Sequence, residues 1–191
     1  MTTIRHETLA DIAVRERLLD AAFGCARYGK TAERLREGRL PAHGLSFVAC
    51  EGEHVVGSVR LWDVSAGPAR PALLLGPLVV GCESQRRGIG AALMHHALGE
   101  AKQRGHGAVL LVGDAPYYGR FGFSDQHTGG LWLPGPYERE RLLACELRPD
   151  ALSGAQGLIA ATGRTQPRPA GATALLAHLT SRFRTATPHA A

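Results

Sequence analysis

Gln85-Arg86-Arg87-Gly88-Ile89-Gly90-Ala91 is the stretch on which the reading of this chain turns. It opens the clearest helix in the sequence, predicted from Gly88 to Arg104. Ile89, Leu93, Met94, Ala97, Leu98 and Ala101 form one apolar stripe, Glu100, Lys102, Gln103 and Arg104 lie opposite, and Gly105 ends the helix. A helix start offers unpaired backbone N–H groups and a partial positive charge. Glycines let an anion approach that backbone closely, and Arg86 and Arg87 add charge beside it. The combination reads as a pyrophosphate cradle. Before it, Ala72 to Val80 reads as a strand with a kink or bulge expected at Gly76-Pro77, since proline cannot donate to a ladder. After it, Val109-Leu110-Leu111-Val112 is an uninterrupted apolar run that suits a strand covered on both faces. Strand, helix and strand in this order predict a βαβ unit with parallel strands and a right-handed crossover.

Two phosphate-binding alternatives fail on particular residues. A P-loop needs Lys-Ser or Lys-Thr after its glycines, and none follows here, which argues against ATP hydrolysis. A dinucleotide fold needs a third glycine where Leu93 stands, and the acidic ribose ligand some twenty residues on is not evident. On the turn alone, a glycine-rich helix start without a ligand stays open.

Working outward, Thr2 to His6 predicts a first strand. Leu9 to Phe23 predicts a helix with an apolar stripe of Leu9, Ile12, Ala13, Leu18, Leu19 and Ala22, stopped at Gly24. Thr31 to Arg39 predicts a second, polar helix with Thr31 as N-cap. Leu45 to Cys50 and His54 to Val64 predict two strands joined by a turn at Glu51-Gly52-Glu53. Ala115 to Arg120 reads as a short helical segment, and Leu131 to Leu133 and Leu142 to Leu147 as late strands. Beyond Pro149 the chain is rich in Ala, Gly, Thr and Pro, with a short helix expected over Ala172 to Phe183 between disordered ends.

With 191 residues the chain fits one domain. Its net charge of +5 is uneven, because four arginines and no acidic residue follow position 150. The first 150 residues hold 18 basic against 17 acidic side chains. A nearly neutral core argues against a nucleic-acid-binding face. Cys25, Cys50, Cys82 and Cys145 form no C-x-x-C pair, so free thiols in a reducing, cytoplasmic setting are expected. The start of the chain has no apolar signal segment, and no apolar run approaches the ~20 residues of a membrane helix. The nine histidines form no H-x₃-H pair on one helical face, so no metal is expected.

Gly113-Asp114-Ala115-Pro116-Tyr117-Tyr118-Gly119-Arg120-Phe121-Gly122-Phe123 follows the apolar strand directly. With this segment the stretch from Leu75 to Phe123 resembles the GNAT superfamily of N-acetyltransferases. The Q/R-x-x-G-x-G/A motif stands as Gln85, Gly88 and Gly90, and Y-x-x-x-G-F as Tyr118, Gly122 and Phe123. The expanded G-D-x-x-Y-Y-x-R-F-G-F form is similar to one bacterial branch of that superfamily. The resemblance covers most of residues 3–155. It implies a mixed α/β (α+β) acyl-CoA N-acyltransferase fold, with a mixed central sheet flanked by helices and a βαβ cofactor unit. Residues 1–155 are then the domain, and 156–191 a C-terminal extension, partly disordered or a short helix.

The resemblance also implies an activity: transfer of an acetyl group from acetyl-CoA to a primary amine of a small molecule or peptide, by direct attack. The backbone of Gln85, Arg86, Arg87, Gly88, Ile89, Gly90 and Ala91 would hold the pyrophosphate of coenzyme A. The pantetheine arm would run along Leu78, Val79 and Val80, where a backbone N–H could stabilise the oxyanion. Tyr118 would be the general acid for the departing sulfur, although Tyr117 beside it makes the assignment ambiguous. No carboxylate stands on the strand before the cradle, where Leu73, Leu74, Leu75 and Leu78 sit, so the base is left to Asp114 or water. Asp114 also reads as a turn or N-cap residue. The missing carboxylate keeps a second function open, a catalytically weak acetyl-CoA-binding regulator. Acceptor-pocket loops are expected over Arg27 to Gly44 and Gln126 to Glu140. The expected partners are an amine substrate, with a homodimer open, and neither nucleic acid nor membrane.

Overall fold

A computed structural model describes residues 1–68 and 70–167. Eight strands build one sheet: β1 (Thr2–His6), β2 (Ser46–Glu51), β3 (His54–Ala66), β4 (Pro71–Val80), β5 (Ala108–Val112), β6 (Leu131–Trp132), β7 (Leu142–Glu146) and β8 (Gly157–Ala161). The main path runs β1-β2-β3-β4-β5-β7, while β8 joins β3 to β6. Among the described residues four α-helices accompany it: α1 (Ile12–Phe23), α2 (Thr31–Arg34), α3 (Ile89–Gln103) and α4 (Ala115–Tyr118).

The βαβ unit is as expected. β4 and β5 are parallel, and α3 connects them. Alternate residues of the strands face opposite layers, as the pleat requires. Leu73, Leu75, Val109 and Leu111 pack in one core with Leu93, Met94, Ala97 and Ala101 of α3. Ala72, Leu74, Ala108 and Leu110 pack in a second core with Trp62, Leu131, Leu142 and Ile159. Coverage on both faces explains why β5 is apolar without a break. Each fully buried Leu or Met contributes about 1.5–3 kcal/mol, so the βαβ unit rests on its packing rather than on helix propensity.

The parallel pairing is short. It joins Leu73 to Val109 and Leu74 to Leu110 and goes no further. On its other side β4 follows β3 throughout, but with a register shift: Val59 faces Leu78, and Leu61 faces Leu75. Gly76 and Pro77 together oppose the single residue Arg60. The expected bulge is therefore present, and the Trp62 indole donates to the Gly76 carbonyl at 2.6 Å. The bulge bends β4 away from β5 and opens the sheet between them.

Three expectations are corrected. In α1 only part of the apolar stripe faces the core: Leu19 is buried and Leu18 half-buried, but Leu9 is 87% exposed, Ile12, Ala13 and Ala22 are exposed, and Arg15 is buried in their place. The first turn, Leu9–Asp11, is a 3₁₀ turn that shifts the phase of the helix. Glu7, almost fully buried, then draws Arg15 inward and also binds Arg60 at 2.7 Å. The second helix covers Thr31–Arg34 only, and its N-cap is Lys30. The Thr31 hydroxyl donates instead to the Pro136 carbonyl, tying two loops together. Finally, the extension assigned to 156–191 begins inside the fold. Gly157–Ala161 is a strand pairing with β3 and β6, and the Gln166 amide donates to the Gly38 carbonyl. The helix expected over Ala172 to Phe183 lies outside the described residues.

Candidate active site

The site is built on the ends of β4 and β5 and the start of α3. Gly88 adopts the left-handed conformation, φ +80°, and caps α3; a Cβ there would meet nothing within 4 Å. The first helical bond runs from the Ala92 amide to the Gly88 carbonyl. The amides of Gly88, Ile89, Gly90 and Ala91 are thus the unpaired donors of a fifteen-residue helix. A Cβ on Gly90 would stand 3.0 Å from the Tyr117 hydroxyl, so glycine keeps this corner open for backbone approach. Arg86 has φ +61° and Arg87 pairs with Glu51 at 2.7 Å. The two arginines are therefore not equivalent: part of the Arg87 charge is already covered. The Gln85 amide donates back to the Val80 carbonyl at 3.3 Å, fastening the end of β4 to the turn.

Leu78, Val79 and Val80 lie on the far side of the bulge. There β4 pairs with β3, and its other edge has already left β5. The Val79 side chain is buried while Leu78 and Val80 are half-buried. Between the parted strands opens a cleft of about 630 Å³. Leu75 to Leu78 line one wall, and Leu111 to Asp114 with Tyr117 and Tyr118 the other. Its outer walls come from 27–36 and 133–141, largely the two loops expected to form the acceptor pocket.

The two tyrosines of α4 are divided by the structure. Tyr117 sends its hydroxyl to the start of α3, with the Arg120 guanidinium over its ring at 4.6 Å. Tyr118 lays its ring against Gly113, where a Cβ would stand 2.6 Å from Cδ2. Burial pushes the Tyr118 phenol up to about 12, so it is protonated at neutral pH. Asp114 takes the N-cap position of α4 but makes no side-chain capping bond, so its carboxylate is free to face the cleft it lines.

The cleft also holds cations that sequence reasoning did not single out. Arg27 is held by Asp20 at 2.9 Å and by Glu16, and Lys30 sits 5.0 Å above the Phe23 ring. Arg36 reaches the bulge itself: a Cβ on Gly76 would stand 3.3 Å from its Nη1. Only its place in a loop assigned to the pocket could have pointed to it.

A shared sheet opened at a bulge, with free helix amides at the opening, is the arrangement the sequence motifs required. The acetyltransferase (GNAT) family model matches residues 12–123. The chain belongs to the GNAT acetyltransferase family. It is thus an acyltransferase dependent on acetyl-CoA. Among curated proteins it is similar to the uncharacterized N-acetyltransferase YhbS of Escherichia coli K12, 29% identical over 157 residues, which are 82% of this chain and 93% of that protein. Among solved structures, E. coli YhbS in complex with CoA covers 84% of this chain and 89% of its own, with a TM-score of 0.72 and 29% identity. A GNAT family acetyltransferase from Brucella melitensis in complex with acetyl-CoA covers 84% and 95%, with a TM-score of 0.62 and 28% identity. Among the described residues no helix is long and apolar enough to cross a membrane.

Proposed function

We propose that this chain transfers the acetyl group of acetyl-CoA to a primary amine of a small molecule or peptide, by direct attack in the cleft between β4 and β5. The observation that carries this is the parting of two parallel strands beside a helix start whose amides are unpaired. Acetyl-CoA supplies the acetyl thioester: the amine nitrogen bonds to the carbonyl carbon, the carbon–sulfur bond breaks, the nitrogen loses a proton and the sulfur gains one.

The chain's own residues divide the work. The amides from Gln85 to Ala91, with Arg86 and in smaller part Arg87, bind the pyrophosphate. The unpaired edge of β4 at Leu78, Val79 and Val80 orients the pantetheine arm and offers an N–H for negative charge on the carbonyl oxygen. Tyr118 serves as the acid. A phenol at about 12 is neutral and keeps its proton at working pH. Against a thiol of pKa about 8.5, full transfer is uphill by about three to four units. Tyr118 therefore acts by a hydrogen bond that strengthens as the sulfur departs, worth roughly 10²–10⁴ in rate. Asp114 and water are the groups able to receive the amine proton.

Two measurements decide the proposal in sequence. Isothermal titration with acetyl-CoA should show saturable binding, and a thiol-release assay over an amine panel should show turnover that Tyr118→Phe reduces in kcat. Binding with no turnover on any amine would favour the regulator instead. Unchanged kcat and pH profile in Tyr118→Phe would remove Tyr118 from the acid role.

A further inference from the structure

Arg36 is the feature of the cleft that the transfer reaction does not use. Its side chain is only 9% exposed, yet it lines the cleft beside Gly76. A guanidinium carries five N–H donors. Among the described residues Arg36 uses one of them on protein, from Nη2 to Glu33 at 2.7 Å. Its Nε is buried with no hydrogen-bond partner among the described residues. The Gly76 carbonyl on the bulge is already used by the Trp62 indole. Glu33, its single counter-ion, is itself a quarter exposed, at 26%. Burial pulls the Arg36 pKa down against the pull of Glu33, a sign that its charge is under-compensated.

The neighbouring cations differ. Arg27 is equally buried but is bound by Glu16, Asp20 and the Tyr28 hydroxyl. Arg141 lies 3.5 Å from Glu138 near the solvent. A purely structural arginine would have its donors satisfied, since an orphaned buried donor costs about as much as a hydrogen bond returns. Gly76 itself keeps the room: any side chain there would press on Nη1. The unused positive charge is thus held at the bulge, on the wall where the acetyl group is to be presented. Asp114, whose carboxylate is not spent on capping, lines the same cleft and offers the opposite sign.

We propose that the acceptor carries a carboxylate as well as its amine, and that Arg36 receives this carboxylate beside Gly76. The acceptor class is then an amino acid or another aminocarboxylic acid. This rests on the acetyltransferase reading above and adds the substrate class to it.

The test uses amines in matched pairs, each acid against its carboxamide, spanning glycine, β-alanine, 4-aminobutyrate and 5-aminovalerate. Each is assayed by thiol release and, independently, by calorimetric titration into protein saturated with coenzyme A. Acids should be preferred over carboxamides by about ten- to a hundredfold, the range of one charge-assisted hydrogen bond, chiefly in KM and Kd. Arg36→Gln should reduce that preference to within about twofold while coenzyme A binding stays the same, and Arg36→Lys should restore part of it. Should Arg36→Gln fail to fold, Glu33→Gln serves, because removing the competing anion should raise the preference for acids. Equal use of acids and carboxamides by the intact protein overturns the proposal and leaves the acetyltransferase standing. Equal losses on both members of every pair in Arg36→Gln would make Arg36 a strut and likewise overturn it. A third arm with aminoalkyl phosphates separates anion classes: if these outrank the carboxylates, the assignment to carboxylic acids is wrong. Absence of acetyl-CoA binding would strike the acetyltransferase reading first, and this one with it.

Discussion

Gly113→Ala is the sharpest probe of the site, because it displaces Tyr118 without altering it. The new Cβ would stand 2.6 Å from Tyr118 Cδ2, and Leu111 Cδ1, at 3.1 Å, closes the other side. Carbon atoms pack at about 3.5–4.0 Å. The ring must therefore retreat by about 1 Å or more, and its hydroxyl moves further because it lies at the end of the lever. Misplacement by about 1 Å costs on the order of 10²-fold in rate. The overpacking itself should cost about 1–3 kcal/mol of stability. At about 2–4 °C per kcal/mol for a chain of this size, Tm should fall by roughly 2–12 °C. Gly113 is not held at positive φ, so no backbone strain is added. The assay is steady-state thiol release with the best amine, alongside calorimetry with acetyl-CoA and a thermal melt. The expected result is a loss of about 10²-fold in kcat, little change in the Kd of acetyl-CoA, and little further loss when Gly113→Ala is added to Tyr118→Phe. A Gly113→Ala enzyme with kcat within twofold of the parent would refute the argument that Tyr118 acts from its packed position.

Arg86→Ala should weaken acetyl-CoA binding by about tenfold at low salt and flatten its salt dependence. Arg87→Ala should do less, since Glu51 already covers that charge at 2.7 Å. Equal effects in the two variants would contradict the asymmetry of the cradle. The rate should rise with pH as the acceptor amine loses its proton, and should not turn down below about pH 11, because burial pushes the Tyr118 phenol up to about 12. A downturn near pH 10 that Tyr118→Phe abolishes would show a less buried phenol. Arg5 and Thr8 hold the Asp11 carboxyl well below the usual carboxylate range. Its folded pKa is depressed, so its stabilisation is fully present above the unfolded value of about 4 and is lost progressively as pH falls from there through the much lower folded value. Asp11→Asn should cost about 1 kcal/mol at pH 7, the worth of a cap, and flatten this acid limb in urea melts at pH 3–7.

Legibility in the sequence followed the range of the interaction. Gln85 to Ala91, Ile89 to Ala101 and Val109 to Val112 are local patterns, and a helix start or a buried strand is decided by neighbours in the chain. They yielded the βαβ unit, the open start of α3 and the bulge at Gly76-Pro77 from residues alone. The same patterns, with Gly113 to Phe123, carried the resemblance to the family. The helix α1 and its buried Leu19 follow from the pattern, but the burial of Arg15 does not, because it is set by Glu7, which lies outside the helix. The strand Gly157–Ala161 was missed because its Ala and Gly residues carry weak β-propensity, and it exists through pairing with β3 and β6.

By itself the sequence determined that α3 opens on a glycine-rich start with unpaired amides and that two tyrosines follow β5, since both follow from residues adjacent along the backbone. Only the tertiary structure decided which tyrosine lies against Gly113, that Arg87 is partly covered by Glu51, and that Arg36 comes to Gly76 from forty residues away. Those facts depend on contacts between distant segments. Such contacts form when the sheet parts at the bulge and the loops close over it, and no local pattern in the chain encodes that distance.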